Sequence, residues 1–262
     1  MLPAERRRRI LDVLDREGTA RVTDLADELN VSEMTVRRDL DALQDDEALH
    51  KVHGGAVARH NRGEEPRSAA KAVRETAEKR AIAACAADLV EDGMTVAVSA
   101  GTTTLEVARL LRDRAGLTVV TNSIPIFAEL SDPDAAHRRD RPQVVLTGGT
   151  RTPSDALVGP VADASLASFR VDVTLLGVHG LDVDAGLTTP NMAEAATNRR
   201  LIDIGRTLVV VADHTKFSEV GANVIAPLDR TDTLVVDDGL SEPARIVLGR
   251  RIRDVRIAAV PR

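Results

Sequence analysis

The chain has 262 residues, 43% of them hydrophobic, and a formal net charge of −6. That length accommodates a small domain beside a larger one. With three Phe, no Trp and no Tyr, the core has to be built from Val, Leu, Ile and Ala. The lone cysteine, Cys85, forms no internal disulfide, which fits a reducing cytoplasm, and its neighbours in "AIAACAADLV" point to a packed helix rather than a nucleophile. No apolar run approaches the ~18 residues of a membrane span. The opening "MLPAERRRRI" lacks the apolar stretch of a secretory signal. Net charge excludes nucleic-acid binding through overall basicity, since residues 1–58 hold 9 Lys and Arg against 13 Asp and Glu, a balance of −4. Any such contact must come from local groups, namely Arg6 to Arg9, the pair Arg37 and Arg38, and Lys51.

The first sixty residues read as three short helices. The first follows Pro3, carries Ile10, Leu11, Val13 and Leu14 on one side, and stops at Gly18. The second is expected to be capped by Thr23, with Asp24, Asp27 and Glu28 near its positive end and Val22, Leu25, Ala26 and Leu29 at i, i+3, i+4, i+7 spacing. Asn30 suits a left-handed turn, and Ser32 can cap the third helix, "EMTVRRDLDALQ". There Val36, Leu40 and Leu43 share an inward face at about 100° per residue, while Arg38 and Asp41 lie opposite, flanked by Glu33, Thr35 and Arg37. A short row of hydrogen-bonding and cationic side chains near a helix N-terminus is what base-edge and phosphate contact requires. "ALHKVHGGAV" then suggests a small hairpin with Gly54-Gly55 at its turn and His50, Lys51 and His53 near a phosphate backbone.

"RRRRILDVLDREGTARVTDLADELNVSEMTVRRDLDAL", closing on "KVHGGA", resembles the head of DeoR-type (deoxyribose-operon repressor) bacterial regulators. The resemblance implies a winged helix-turn-helix domain over 1–58 and double-stranded operator DNA as partner. It makes Ser32, Glu33, Thr35, Arg37 and Arg38, with Lys51 and His53 from the wing, the candidate DNA-binding residues. Residues 59–68, "RHNRGEEPRS", read as a linker. Linker and the start of a connecting helix occupy 59–75, and that Ala-rich helix is expected from about Ala69 to Val90.

From Met94 the pattern alternates. "MTVAVS", "LTVVTN", "PQVVLTGG", "VDVTLLGV", "TLVVVAD", "DTLVVDD" and "RIAAV" are strand-like. "TLEVARLLRD", "IPIFAEL", "VADASLASF" and "NMAEAATNRRLIDI" are helical. Near-continuous Val and Leu strands between helices predict a mostly parallel α/β sheet covered on both faces, with ligands at the carboxyl ends of its strands. The loops at those ends carry the candidate effector-binding residues. In "SAGTTT", Ser99 precedes Gly101, where backbone can approach an anion, and Thr102, Thr103 and Thr104 supply hydroxyls at a helix start. "LTGGT" adds Gly148 and Gly149, "GVHGLD" adds His179, Gly180 and Asp182, and "VADHTKF" adds Lys216. Together these hydroxyls, glycines, an acid and a lysine suit a small polyhydroxylated phosphate.

The resemblance extends here through "SAGTTT", "LTGG", "LLGVHGLD", "AEAATNRR" and "VVVADHTKF". It implies a ribose-5-phosphate-isomerase-like α/β effector and oligomerisation domain over 76–262. Such a domain takes a phosphorylated sugar or polyol and assembles as a homo-oligomer, dimer or tetramer. By the same likeness Gly101 to Thr104 hold phosphate, Lys216 faces the ligand and Glu194 is a second contact. Two positions depart from the family pattern: Ser99-Ala100 replace the usual Asp-Ser, and His179 stands where a small residue is usual. The isomerase relatives carry an acid-rich "DGADE"-type loop, thinned here to Asp182, so binding groups remain where a proton-transfer set is depleted. The expected function is a repressor of carbohydrate or polyol genes with no catalytic residues, metal or cofactor. A sugar-phosphate isomerase with a fused DNA-binding head would instead show turnover, and a DNA-binding architectural protein would ignore sugar phosphates.

Overall fold

The computed structural model describes residues 2–17, 19–45, 48–52, 54–58, 75–131 and 141–261. Gly18, His53, the linker 59–74 and the expected helix start at Ala69 lie outside the described residues. The chain forms two units, Met1–Asn61 and Arg62–Arg262.

In the small unit, α1 (Pro3–Glu17), α2 (Val22–Leu29) and α3 (Glu33–Asp45) pack their apolar stripes together. Ile10, Leu14, Leu25, Val36 and Leu40 are at most 1% exposed, so this unit has a core of its own. Asn30 closes α2 in the left-handed conformation, φ 51°, its N–H bonded to the carbonyls of Ala26 and Asp27. Ser32 caps α3 by accepting from Thr35 N at 3.3 Å. Thr23 does not cap α2. The helix begins two residues earlier than a Thr23 cap would set it, after extended Arg21, and Val22 N donates to Gly54 O at 2.9 Å. The start is set by a strand unforeseen in the sequence, β1 (Thr19–Arg21), which pairs with β3 (Gly55–Ala58). β3 also pairs with β2 (Leu49–Val52) around Gly54, whose φ of 83° suits glycine. The expected hairpin is therefore the outer part of a three-stranded sheet, order β1-β3-β2.

Asp39 lies on the buried face of α3 and takes the guanidinium of Arg6, with Arg7 Nε at 3.2 Å from its other oxygen. The Arg6 guanidinium is held protonated more firmly than usual, chiefly by its hydrogen bond to Asp39, although burial opposes this. Arg6 thus leaves the set of cations available to a phosphate backbone.

The larger unit holds a seven-stranded sheet, order β15-β14-β12-β9-β4-β5-β6, all parallel. Its strands are β4 (Thr95–Val98), β5 (Thr118–Thr121), β6 (Gln143–Leu146), β9 (Val171–Gly177), β12 (Gly205–Val211), β14 (Thr233–Asp237) and β15 (Asp254–Ala258). Alternate side chains divide between the faces. Val96, Val98, Val173, Leu175, Val209 and Val211 meet α4 (Thr76–Ala87), α5 (Thr102–Leu111) and α6 (Ile124–Leu130) in one cluster. Ala97, Val120, Leu176, Leu208 and Val210 face the other way, toward α7 (Pro160–Leu166), α8 (Met192–Ile204) and α9 (Glu242–Gly249). Helix α8 runs into β12 without a loop, and a Cβ on Gly205 would meet the Thr174 side chain. The hairpin β7 (Thr150–Arg151) with β8 (Leu157–Val158) was not anticipated from the sequence. Nor was the antiparallel sheet of β10 (Gly180–Asp182), β11 (Gly186–Thr189) and β13 (Asn223–Ala226).

Replacing Asp39 with Ala is expected to destabilise the small unit by about 2 kcal/mol, because a hydrogen bond to a buried charged group is lost. Denaturant unfolding of the full chain, followed by circular dichroism, checks this as an earlier first transition.

Candidate functional site

On the small unit, the exposed side of α3 presents Glu33, Met34, Arg37 and Arg38. Ser32 and Thr35 are joined hydroxyl to hydroxyl at 2.9 Å, so both oxygens sit at the helix start. Arg37 Nη2 donates to Glu33 Oε2 at 3.1 Å across one helical turn. Arg38 has no ion pair among the described residues. Lys51 reaches back to Asp41, and its backbone N donates to Gln44 Oε1 at 3.0 Å, which fastens β2 to α3.

On the larger unit, the geometry follows from strand order. From β4 the chain moves outward through β5 and β6, then returns to the other side of β4 at β9 and moves outward through β12, β14 and β15. Neighbouring strands β4 and β9 therefore send their following loops in opposite directions, opening a crevice at their carboxyl ends. "SAGTTT" is the loop at that switch point. Ser99 is fully buried, and its hydroxyl accepts from Gly177 N at 2.9 Å, tying the two strand ends together. Ala100 N donates to Asn122 Oδ1 at 2.9 Å, and Asn122 Nδ2 donates to Leu157 O at 3.1 Å, so the loop is anchored from β5 as well. Asn122, 1% exposed, was missed from the sequence, where only its place after a strand marked it.

Gly101 precedes α5 and offers no side-chain cap, so the first-turn amides of this helix have no side-chain acceptor from it. A Cβ on Gly101 would sit 2.9 Å from Thr104 Oγ1, which itself donates to Gly101 O at 3.0 Å. The Thr102 and Thr103 hydroxyls have no partner among the described residues. Open amides, two hydroxyls and the positive end of a ten-residue helix form an anion-binding arrangement.

The remaining candidates occupy neighbouring loops. Gly148 and Gly149 follow β6 with φ of 73° and 121°, and a Cβ on Gly149 would lie 2.6 Å from Val158 O, so both glycines shape the β7–β8 hairpin. His179 is half-buried after β9, with its backbone N bonded to Thr188 O at 3.2 Å. A Cβ on Gly180 would collide with Glu219 backbone, so this glycine permits close packing against the loop that carries Lys216. Asp182 accepts from the amides of Asp184 and Ala185, both at 2.9 Å, and closes the β10–β11 turn. Glu194, in the first turn of α8, accepts from Thr152 Oγ1 at 2.8 Å, from Ser154 Oγ and from Thr189 Oγ1 at 3.3 Å. Lys216 ends a 3-10 turn, His214–Lys216, after β12; it is half-buried and has no ion pair among the described residues. Asp213, 2% exposed, caps that turn through Thr215 N at 3.1 Å, and Asp237 from β14 holds His214 Nδ1 at 2.7 Å.

Glu75, at the start of α4, has its carboxyl pushed above the ordinary value of 4.5, first by burial and then by Glu78, Asp213 and Asp237, with His214 acting the other way. The thiol of Cys85 is raised, chiefly by burial, and packs against the core. No group of three or more His, Cys, Asp or Glu among the described residues is placed to hold a metal, and no described helix is long and apolar enough to cross a membrane.

Two family models match the chain: a DeoR-like helix-turn-helix domain over residues 6–62 and a DeoR C terminal sensor domain over residues 74–238. The HTH-type transcriptional regulator GlpR of Haloferax volcanii is 37% identical, covering 94% of this chain and 94% of its own. A putative aga operon transcriptional repressor of Escherichia coli O157:H7 is 32% identical over 98% and 94% of the two chains. The transcriptional repressor AccR of Agrobacterium fabrum is 34% identical over 90% of each. Among solved structures, ribose 5-phosphate isomerase A of Methanocaldococcus jannaschii overlaps 53% of each chain at 18% identity and a TM-score of 0.36.

A raised carboxyl pKa means that the folded state binds the proton more tightly than the unfolded chain. Stability from Glu75 is therefore present at acid pH and lost as pH rises through its raised value. The Glu75→Gln variant is expected to melt above the parent at neutral pH, with the gap closing toward the ordinary carboxylate range, as checked by thermal melts across pH.

Proposed function

This chain belongs to the DeoR family of helix-turn-helix transcriptional regulators, and on that premise we propose that it represses carbohydrate or polyol genes and is released from its operator by a phosphorylated sugar or polyol. The head, residues 1–58, binds double-stranded operator DNA through α3 and the wing. Residues 59–75 link it to a sensor and oligomerisation domain, 76–262, which pairs heads on repeated half-sites as a cytoplasmic dimer or tetramer. The observation that carries the effector class is the switch-point loop. There Thr102 and Thr103 offer hydroxyls without a partner among the described residues, beside the uncapped start of α5, an arrangement suited to phosphate.

Sensing is favoured over turnover by how the nearby carboxylates are engaged. Asp182 holds a turn, Glu194 takes three hydroxyls, Asp213 caps the Lys216 turn and Asp237 holds His214. Proton shuttling at a sugar carbon needs a carboxylate within reach of substrate. For release, the effector must bind the DNA-free arrangement better, with a coupling of about 1–3 kcal/mol.

The test is operator binding at fixed salt, with and without a panel of sugar and polyol phosphates, with sugar interconversion assayed in the same samples. Release by one phosphate without turnover is expected; turnover, or DNA binding that no phosphate alters, sinks the reading. Arg38→Ala is expected to weaken operator binding by about 1–3 kcal/mol, measured by fluorescence anisotropy. Lys216→Ala should keep operator affinity and lose release by the effector, and release that persists in this variant would take Lys216 out of the site.

A further inference from the structure

The exposed face of α3 carries a feature that electrostatics alone makes costly. Glu33, with half of its side chain exposed, stands in the first turn of α3, and the inference rests on the proposed function, which sets the start of this helix against base edges. A carboxylate there approaches a polyanion. A carboxylate accepts hydrogen bonds and donates none. On the major-groove floor the only donors are the exocyclic amino groups of cytosine and adenine; guanine O6 and N7 and thymine O4 are acceptors that would repel it.

Arg37, one turn on, is bonded to Glu33 at 3.1 Å through Nη2. That bond engages Nη2, and the other guanidinium nitrogens have no partner among the described residues. Guanidinium donors suit guanine O6 and N7. Phosphate contact is available from Arg38, which has no ion pair among the described residues, whereas Arg6 and Lys51 are engaged by Asp39 and Asp41.

We infer that Glu33 and Arg37 act as one base-reading unit, Glu33 accepting from a cytosine N4 amino group and Arg37 donating to guanine O6 and N7, so that each half-site carries a G·C-rich position opposite the start of α3. Glu33 is then a specificity-determining residue. It adds little attraction to DNA in general and rejects half-sites that offer thymine O4 or guanine O6 at its position. The rival role is a helix-stabilising one, in which an acidic residue at the helix start and its i+4 arginine support α3 without touching a base.

The two roles separate in a selection from a randomised half-site library, run with the full-length protein and its Glu33→Gln and Glu33→Ala variants. The parent is expected to select cytosine at one position and guanine beside it. Glu33→Ala should lose the cytosine preference at that position alone, with discrimination falling about tenfold or more, while affinity for unselected DNA holds or rises. Glu33→Gln should move the preference toward adenine, which a glutamine amide can bond at N6 and N7. Base preferences that match the parent in both variants would overturn the inference and leave Glu33 a helix-start residue, a result that thermal melts would accompany with lowered stability. Failure of the parent to select any sequence would overturn it together with the DNA-binding role itself.

Discussion

The adjacency of β4 and β9 governs the larger unit. Two parallel neighbours whose connections depart to opposite sides leave an opening at their carboxyl ends that neither connection covers. Ser99 and Gly177 bridge that opening with a single hydrogen bond at 2.9 Å, and Asn122 braces it from the next strand. The loops that carry Gly101, His179 and Lys216 follow strands that leave this same edge of the sheet. The sheet buries apolar side chains on both of its faces, and that packing holds this edge in place.

The same constraint gives Ser99 a plain role. The position is fully buried, and its hydroxyl bonds a backbone amide. A carboxylate could accept from that amide as well, but it would bring negative charge beside the site proposed for phosphate. The serine performs the bracing without that charge. Beside it stand the positive end of the α5 dipole and the Thr102 and Thr103 hydroxyls, which have no partner among the described residues.

In the small unit, charge is sorted rather than abundant. Pairing does not relieve its acidic balance, since Asp39 takes Arg6 and Arg7 in the core and Asp41 takes Lys51 from the wing, so DNA contact falls to the few cations left outward. What remains outward at the start of α3 is a short row in which Arg38 has no ion pair among the described residues and Arg37 is bonded to Glu33. Affinity there would come from few phosphate contacts and discrimination from the paired residues, consistent with the division between positioning and base-reading contacts.

Much of this was legible in the chain itself. The i, i+3, i+4, i+7 spacing located α2, the "VSEMTVRRDL" run located α3 and its cap, and the alternation of Val-rich and helical runs identified a parallel sheet with "SAGTTT" at a strand end. Those features are local, set by periodicity and by which residues cap or break a helix. Tertiary structure alone decided the rest. Thr23 lost the start of α2 because β1 pairs with β3, thirty-odd residues away in sequence, and pins the helix cap two residues earlier, at Arg21. Arg6 turned inward because folding brings Asp39 beside it, and Glu194 became engaged because the Thr152 and Ser154 hydroxyls arrive from 42 and 40 residues away. Strand order, which places the switch point at β4 and β9, depends on pairings between segments far apart in sequence. No local pattern encodes such pairings, because their free energy exists only once both partners are buried together.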